Sequence, residues 1–294
     1  MNIKEESQTA AVLTEHPNIS VIMSVYNCED TLPQAIDSIL KQTYSNWKFV
    51  ICNDCSTDRT QEILDSYKEK HPDKFILIRN EQNRKLPYSL NECLKYAAGP
   101  LIARMDGDDV SEPTRFEEQV AVLLSHPEYQ MVGTCARRFD ETGLHDVVKL
   151  PEYPNRDTLR KGEPFLHATI VTYKSVYDQL GGYCVSKRTE RTEDLDLWFR
   201  FYYNNYEGYN IQKPLYLVRE NLNAVKRRTV KSRLLGLQTA FYGFKLLKYP
   251  WYCYVKSTLS VMLKIMIPPW LLLRYRKYQA WQANNADYKR DLRS

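Results

Sequence analysis

The sequence of 294 residues predicts an α/β fold, in which a mainly parallel sheet is flanked by helices and joined by a smaller mixed sheet. Two observations support this prediction. From Asn18 to Met105, short apolar runs alternate with amphipathic stretches, as in strands that are joined by crossover helices. From Val110 to Asn223 the alternation is less regular, which indicates a mixed arrangement of strands.

The first of these regions contains the most regular elements. The apolar residues Leu32, Ala35 and Ile36 repeat at helical spacing and indicate the first helix of this region. Gly99-Pro100 is a stop signal that ends the third helix of the region. The strands are predicted at Ile19–Val25, Trp47–Cys52, Phe75–Ile78 and Leu101–Met105. The helices are predicted at Leu32–Lys41, Thr57–Lys70 and Pro87–Ala97.

The second region continues the same domain with longer and less periodic elements. Its strands are predicted at Met131–Phe139, Thr169–Tyr173 and Tyr209–Val218, and its helices at Pro113–Ser125 and Glu193–Asn204. We therefore expect one catalytic domain over residues 18–223, with one half at 18–109 and the other at 110–223.

Charge is unevenly distributed along the chain. The segment after Asn223 carries 15 Lys and Arg against 2 Asp and Glu, a charge of +13, whereas the residues before it carry −8. An acidic body with a basic tail predicts an anionic partner for residues 224–294. Residues 1–17 are polar, without the apolar centre of a signal peptide, and are predicted to be a short leader of a protein that is not exported.

The seven cysteines are odd in number and irregularly spaced, which argues against a disulfide framework and favours a reducing compartment. Cys52-x-x-Cys55 is interpreted as a pair of ordinary strand-end cysteines. Half a zinc site or a redox motif is the alternative, but no second pair and no nearby histidine pair accompanies it.

Polar residues follow each of the four predicted strands of the first region. Tyr26-Asn27 follows the first strand, Asp54 the second, Arg79 the third and Asp106 the fourth. Because parallel sheets bind ligands beyond the carboxyl ends of their strands, we expect these residues to line one crevice. Tyr26 could stack on a base, Asp54 could accept hydrogen bonds from a base or ribose, and Arg79 could meet a phosphate or a base carbonyl.

An alternative remains open for the turn after the second strand. Asp54 and Asp58 could form an Asx turn and the N-cap of the next helix, since Ser56-Thr57-Asp58 is good capping chemistry. For Asp58 the two interpretations are balanced, whereas the strand-end position of Asp54 favours a ligand.

The turn Asp106-Gly107-Asp108-Asp109 is the most specific chemical signal in the chain. Three carboxylates in four residues repel one another unless a cation compensates them, and Mg²⁺ or Mn²⁺ prefers such oxygen ligands. An exposed acidic turn is the alternative. Because neither a Gly-x-Gly-x-x-Gly pattern nor a P-loop occurs, phosphates would be held by metal and side chains.

Three motifs in this order resemble the family 2 glycosyltransferases with the GT-A fold, a Rossmann-like architecture, of the kind that builds bacterial surface polysaccharides. The motifs are Ser20–Asn27, Asn53–Asp58 and Ala103–Asp109, and the resemblance covers residues 18–218. It implies a nucleotide-binding half at 18–109 and an acceptor half at 110–223. It also implies that Tyr26, Asn27, Asp54, Arg79, Asp106 and Gly107 contact the nucleotide, usually uridine, and that Asp106 and Asp108 bind the metal.

The same resemblance assigns roles in the acceptor half. Glu193-Asp194 matches the family's Glu-Asp motif, in which the aspartate is the catalytic base and Glu193 lies on the acceptor side. The alternative is helix capping behind Thr192, with acidic residues in a first turn. His167 matches a histidine that reaches metal or diphosphate. Lys226, Arg227 and Arg228 could form a flexible lid over the diphosphate, and a solvated basic turn is the equally weighted alternative.

The function implied is the metal-dependent, inverting transfer of one sugar from a nucleotide-sugar, a UDP-sugar, to a polyprenyl-diphosphate-linked acceptor in capsule, O-antigen or exopolysaccharide synthesis. The Gln-x-x-Arg-Trp motif of processive synthases is absent, and no Gly lies two residues after Asn83, where members often carry one. The rivals are a nucleotidyltransferase, which would release pyrophosphate, and a non-enzymatic binding module. An apolar tail and an acidic crevice argue against nucleic acid as a partner.

The tail predicts a cytoplasmic protein that is peripheral on the inner face of the cell membrane. Leu234, Leu237, Phe241 and Phe244 form one helical stripe beside basic residues. The apolar stretch 249–273 is interrupted by two lysines and Pro268-Pro269, which favours interfacial docking over a spanning helix. A helical subdomain packed on the catalytic body is the alternative.

Overall fold

The computed structural model describes residues 15–220 and 229–266, which form one nine-stranded sheet with helices on both faces. The strands are β1 Ile19–Val25, β2 Trp47–Asn53, β3 Phe75–Arg79, β4 Leu101–Arg104, β5 Val110–Ser111, β6 Tyr129–Asp140, β7 Gly143–Val148, β8 Val171–Tyr173 and β9 Glu207–Arg219. The α-helices are α1 Leu32–Leu40, α2 Thr60–Lys70, α3 Leu86–Tyr96, α4 Arg115–Ser125, α5 Arg156–Leu159, α6 Lys174–Leu180, α7 Glu193–Tyr203, α8 Val230–Leu246 and α9 Trp251–Met266.

The parallel part of the sheet has the order β3-β2-β1-β4. Helices cover both of its faces, so β1 is apolar nearly throughout: Val21 packs into one core and Ile22 into the other. Val25 is paired with Asn53, and Asn53 with Arg79, so three strands end in one row. This register places the residues after β1 and β2 at the same edge, as the sequence predicts.

The predicted smaller mixed sheet is present as a continuation of the parallel sheet. β8 pairs antiparallel with both β4 and β6, and β6 continues to β9, so the mixed strands extend the parallel sheet without a break. The short strands β5 and β7 and the helices α5 and α6 were not predicted. β7 is partly exposed along its whole length and therefore lacks the apolar alternation that marks a half-buried strand.

The helix α8 packs on α7, against the catalytic domain. Phe244 meets the ring of Phe199 edge-on with centroids 5.9 Å apart, and a side chain at Gly243 would collide with that ring. For this helix the structure therefore shows the packed alternative, although Leu234 of the predicted stripe is exposed. α9 in turn packs on α8 through Tyr254 and Phe241.

Among the described helices, none is both long enough and apolar enough to cross a bilayer. Residues 1–14, 221–228 and 267–294 lie outside the described part of the chain, and so do the predicted lid residues Lys226, Arg227 and Arg228.

Candidate active site

The turn after β1 presents an exposed aromatic ring. Tyr26 is half exposed, and Asn27 adopts the left-handed backbone conformation (φ 49°) that asparagine tolerates. The Asn27 N–H donates to Ser56 Oγ (3.0 Å), and its Oδ1 accepts the N–H of Thr57 (2.8 Å). Asn27 thus joins the turns after β1 and β2 and leaves the Tyr26 ring at the edge.

Asp54 is buried and holds the loop that follows β3. Its Oδ1 accepts from Asn80 Nδ2 (2.7 Å) and from the backbone N–H of Arg84 (2.8 Å), and its Oδ2 accepts from the backbone N–H of Lys85 (2.9 Å). The sequence gives no sign of this role, because the partners lie about thirty residues away. A nucleotide contact by Asp54 would have to use what remains of its acceptor capacity.

Asp58 does what capping chemistry predicts. Its Oδ1 accepts the Thr60 N–H at 3.0 Å, at the start of α2, and its Oδ2 accepts the Glu29 N–H at 3.1 Å.

Arg79 ends β3 with its side chain exposed, and its guanidinium has no ion-pair partner among residues 15–220 and 229–266. Arg79 is therefore placed to receive an anionic or carbonyl oxygen at this edge.

The acidic turn is balanced by a buried arginine. Arg104, the last residue of β4, is fully buried and its Nη2 lies 2.5 Å from Asp106 Oδ1. Burial opposes the charge of Arg104, but Asp106 and two tyrosines outweigh it, so the pKa of Arg104 is raised. The sequence signal for this residue is a single cation inside an apolar strand, directly before an acidic turn.

The three carboxylates of the turn differ in burial. Asp106 and Asp108 are partly exposed, whereas Asp109 is buried and accepts the backbone N–H of Arg219 (2.8 Å). Burial and the two neighbouring carboxylates raise the pKa of Asp109 well above its usual range. Gly107 is needed for the close approach of the turn to β1, because a Cβ there would lie 3.0 Å from Val25 Cγ1.

The described residues contain no group of three or more His, Cys, Asp or Glu side chains that could hold a metal ion by themselves. Mg²⁺ at nucleotide sites, however, is commonly held by one or two carboxylates and completed by substrate phosphates and water. The two partly exposed carboxylates, Asp106 and Asp108, fit that kind of site.

A second acidic group, Glu193 and Asp194, begins α7. Burial, followed by the Asp194 charge, raises the pKa of Glu193 to about 8, and its Oε2 has no hydrogen-bond partner among the described residues. Burial, followed by the charges of Glu163 and Asp106, raises the pKa of Asp194 to about 6. The charge of Asp106 contributes to both pKa shifts, so the two acidic groups lie within electrostatic reach of each other.

The start of α7 is fixed from α8 and not by a side-chain cap. The hydroxyl of Thr192, at the N-cap position, donates to the Arg188 carbonyl (3.0 Å) and lies 2.9 Å from Thr239 Oγ1. Arg188 in turn lies over the Tyr242 ring at 4.1 Å. Thr239 and Tyr242 belong to α8, so the tail helix positions the acidic pair.

His167 is the first member of a chain of polar side chains. Its Nε2 is 2.8 Å from the Tyr183 hydroxyl, which is 2.7 Å from the Tyr177 hydroxyl. Burial and the charge of Arg104 lower the pKa of His167 well below its usual range, so the ring is neutral. With Nε2 engaged, a contact from His167 to metal or diphosphate would have to use Nδ1.

Comparisons with known proteins show the family of this chain. The family model for Glycosyl transferase family 2 matches residues 20–180. EpsE of Bacillus subtilis is 43% identical over 263 residues, which is 89% of this chain and 94% of EpsE. The chain belongs to glycosyl transferase family 2. It is therefore a glycosyltransferase, as the three motifs predict.

Two further relatives of this glycosyltransferase come from Escherichia coli. The O-antigen biosynthesis glycosyltransferase WbnJ is 33% identical, and the match covers 77% of this chain and 87% of WbnJ. WfgD, a UDP-Glc:alpha-D-GlcNAc-diphosphoundecaprenol beta-1,3-glucosyltransferase, is 28% identical, with 79% of this chain and 83% of WfgD covered.

Solved structures confirm the GT-A-like fold. S. aureus TarS 1-349 in complex with UDP-GlcNAc superimposes with a TM-score of 0.66 at 16% identity, covering 85% of this chain and 71% of that one. The mannosyltransferase PcManGT of Pyrobaculum calidifontis, in complex with GDP-Man and Mn2+, superimposes with a TM-score of 0.59 at 18% identity. The match covers 91% of this chain and 81% of PcManGT.

Proposed function

We propose that this glycosyltransferase moves one sugar per encounter from a UDP-sugar to an acceptor hydroxyl, with inversion at the anomeric carbon. The observation that carries the proposal is the electrostatic influence of one acidic group on the other: the charge of Asp106 contributes to the raised pKa of Asp194. This supports a leaving-group site and a proton acceptor that act on the same sugar, as a single displacement requires.

The donor nucleotide belongs at the ends of β1, β2 and β3. The exposed Tyr26 ring offers a stacking surface, and the free guanidinium of Arg79 offers hydrogen-bond donors to the base or a phosphate. Asp54 acts mainly by fixing the Arg84–Lys85 backbone around this site. TarS, which has been solved with UDP-GlcNAc, supports a UDP-sugar as the donor class.

Asp106 and Asp108 would hold Mn²⁺ or Mg²⁺ together with diphosphate oxygens; PcManGT has been solved with Mn2+. When bound there, the ion neutralises the charge that develops on the nucleoside diphosphate as it leaves. Arg104 orients Asp106 and supplies part of the positive charge at the edge.

Asp194 accepts the proton of the acceptor hydroxyl as that oxygen attacks the anomeric carbon. With a pKa of about 6 it is largely ionised at neutral pH, yet it remains a stronger base than an exposed aspartate. Glu193, with a pKa of about 8, is mostly protonated at the same pH and presents a hydrogen-bond donor on the acceptor side.

The acceptor is a polyprenyl-diphosphate-linked sugar used in surface-polysaccharide assembly at an anionic membrane surface. WfgD is named for a diphosphoundecaprenol-linked acceptor and WbnJ for O-antigen biosynthesis, which supports this class. α9 also supports it, because Leu259 and Met262 on this helix are exposed while Lys256 and Lys264 provide positive charge.

The test is a transfer assay with purified full-length protein, Mn²⁺, a panel of UDP-sugars and a polyprenyl-diphosphate-linked GlcNAc acceptor. We expect release of UDP and a product whose new linkage has the opposite anomeric configuration to the donor, read by NMR. Release of pyrophosphate from nucleoside triphosphates would instead indicate a nucleotidyltransferase. Full activity after exhaustive EDTA treatment would remove the metal from the proposal.

A further inference from the structure

A basic cleft lies between α5 and the turn that joins α8 to α9. It has a volume of about 420 Å³ on the side of Asn155 and Tyr249, and an adjoining volume of about 210 Å³ reaches Tyr202. Arg156, Leu247 and Lys248 line both parts. The cleft lies outside the strand edge that carries the acidic groups, so the transfer reaction does not account for it.

Three cations face one carboxylate in this cleft. Arg160 lies 3.0 Å from Asp157, while Arg156 donates from Nη2 to the Leu247 carbonyl (2.7 Å). Lys248 is exposed and forms no ion pair within the described part of the chain. The cleft therefore carries a net charge of about +2, which favours an anion.

A buried hydroxyl points to the kind of anion. Tyr202, near the C-terminal end of α7, is buried, lines the inner part of the cleft, and its hydroxyl has no hydrogen-bond partner among the described residues. Burial and the neighbouring Tyr249 raise the pKa of Tyr202, so this hydroxyl remains a donor at any physiological pH. A buried donor without an acceptor is costly, and a phosphate oxygen would satisfy it.

The surroundings of the cleft indicate where the phosphate comes from. Residues 230–266 contain six Lys and Arg and no Asp or Glu. Trp251 and Tyr252, which begin α9, are exposed, and Arg160 Nη1 reaches the Tyr252 hydroxyl at 3.3 Å. From there one exposed apolar stripe runs along the helix: Tyr252, Val255, Leu259, Met262 and Met266. An aromatic and apolar stripe beginning at a basic cleft matches a bilayer interface better than free phosphate.

We propose that this cleft binds the phosphate of an anionic phospholipid headgroup, with the Tyr202 hydroxyl as a donor at its base and α9 lying in the membrane interface. The inference rests on the membrane surface in the proposed function and deepens it. The headgroup site would fix the tail helices, and through α8 the start of α7, at a defined height above the bilayer.

The test is Tyr202→Phe, which changes no charge and removes only the buried hydroxyl. Tyr206→Phe, in the turn after α7 and outside the cleft, is the matched control. Binding of the full-length proteins to phosphatidylcholine vesicles, with and without phosphatidylglycerol, is measured by co-sedimentation at fixed ionic strength. We expect Tyr202→Phe to weaken binding to the phosphatidylglycerol vesicles by about tenfold. Tyr206→Phe should bind these vesicles as the wild type does. The melting temperature of Tyr202→Phe should equal or exceed that of the wild type.

Equal binding by Tyr202→Phe and wild type would overturn the headgroup site, even if α9 still docks on the membrane. If the wild type binds neither kind of vesicle, the membrane surface in the proposed function fails as well. Titration with inorganic phosphate distinguishes a lipid headgroup from a soluble phosphate ligand. If the wild type binds phosphate saturably, Tyr202→Phe does not, and neither protein binds vesicles, the ligand is soluble and the lipid assignment is wrong. Sugar transfer to a short soluble acceptor reports separately on the catalytic proposal.

Discussion

The two acidic groups of the site are treated differently by the fold. The turn Asp106–Asp109 is partly exposed and adjoins the fully buried guanidinium of Arg104, which lies 2.5 Å from one carboxylate. The pair Glu193-Asp194 is more enclosed, and Glu193 Oε2 has no hydrogen-bond partner among the described residues. Arg104 forms its ion pair with the first group, and for Glu193 its charge only partly offsets the effect of burial.

This difference corresponds to two kinds of chemistry. A partly exposed carboxylate that is paired with a buried arginine suits a cation ligand. A carboxyl group whose charge is penalised by burial and neighbours suits proton transfer, and Asp194 has a pKa of about 6 for that reason. The predictions below test whether the two groups can be separated in this way.

The largest effect is expected for Asp194→Asn. Removing the proposed base should slow transfer by roughly 10²- to 10⁴-fold, because a positioned general base contributes about that factor. UDP affinity should change little, since the first group stays intact. Initial rates at saturating donor and calorimetric UDP titration check both parts, with Asp178→Asn, a surface partner of Lys174, as the control. Near-normal transfer by Asp194→Asn would assign the base to another residue.

Asp106→Asn should act on the metal and not on proton transfer. We expect Mn²⁺ affinity in the presence of UDP to fall by at least about tenfold, because this side chain is both a proposed ligand and the partner of Arg104. Electron paramagnetic resonance of free Mn²⁺ measures it directly. Asp109→Asn is the matched variant: it is buried and can still accept the Arg219 N–H, so its loss should be much smaller. A larger loss for Asp109→Asn would reverse the assignment.

The parallel half of the fold was predicted from the sequence because burial leaves a direct record there. β1 was predicted with its observed bounds, and β2 and β4 to within one residue, since strands covered on both faces must be apolar throughout. The position of Tyr26, Asp54 and Asp106 at one edge followed from the parallel register alone.

What the sequence could not show are contacts between distant segments. The loop that Asp54 holds, the Tyr183 hydroxyl that occupies His167, and the packing of Gly243 against Phe199 each join residues far apart in the chain. The amphipathic pattern of α8 does not say whether a membrane or α7 covers its apolar side. Burial of Arg104 was likewise invisible, although its place in an apolar strand was the available signal.

Glu193→Gln tests the uncompensated burial of the second group. The pKa of Glu193 rises from 4.5 to about 8 on folding, so its contribution to stability is complete below the unfolded value and is lost as pH rises through the folded one. The free energy of unfolding of the wild type should therefore decrease as pH rises from 4.5 to about 8, and that of Glu193→Gln should decrease less. We expect the melting temperature of the variant to exceed that of wild type by a few degrees at about pH 9 but not at about pH 4.5. Glu141→Gln, an exposed carboxylate, should show no such difference.

The smallest effect is expected for Glu163→Gln, and it bears most directly on why Asp194 differs from the acidic turn. After burial, the charge of Glu163 is the main cause of the raised pKa of Asp194, ahead of Asp106. Wild-type kcat/KM should fall as pH drops below about 6, because the base becomes protonated. Without the Glu163 charge that decline should move to lower pH by a fraction of a unit, and added salt should shrink the shift. Asp178→Asn should leave the profile in place. If the decline stays where it was, burial alone sets this pKa; if it moves upward, the limiting group is not Asp194.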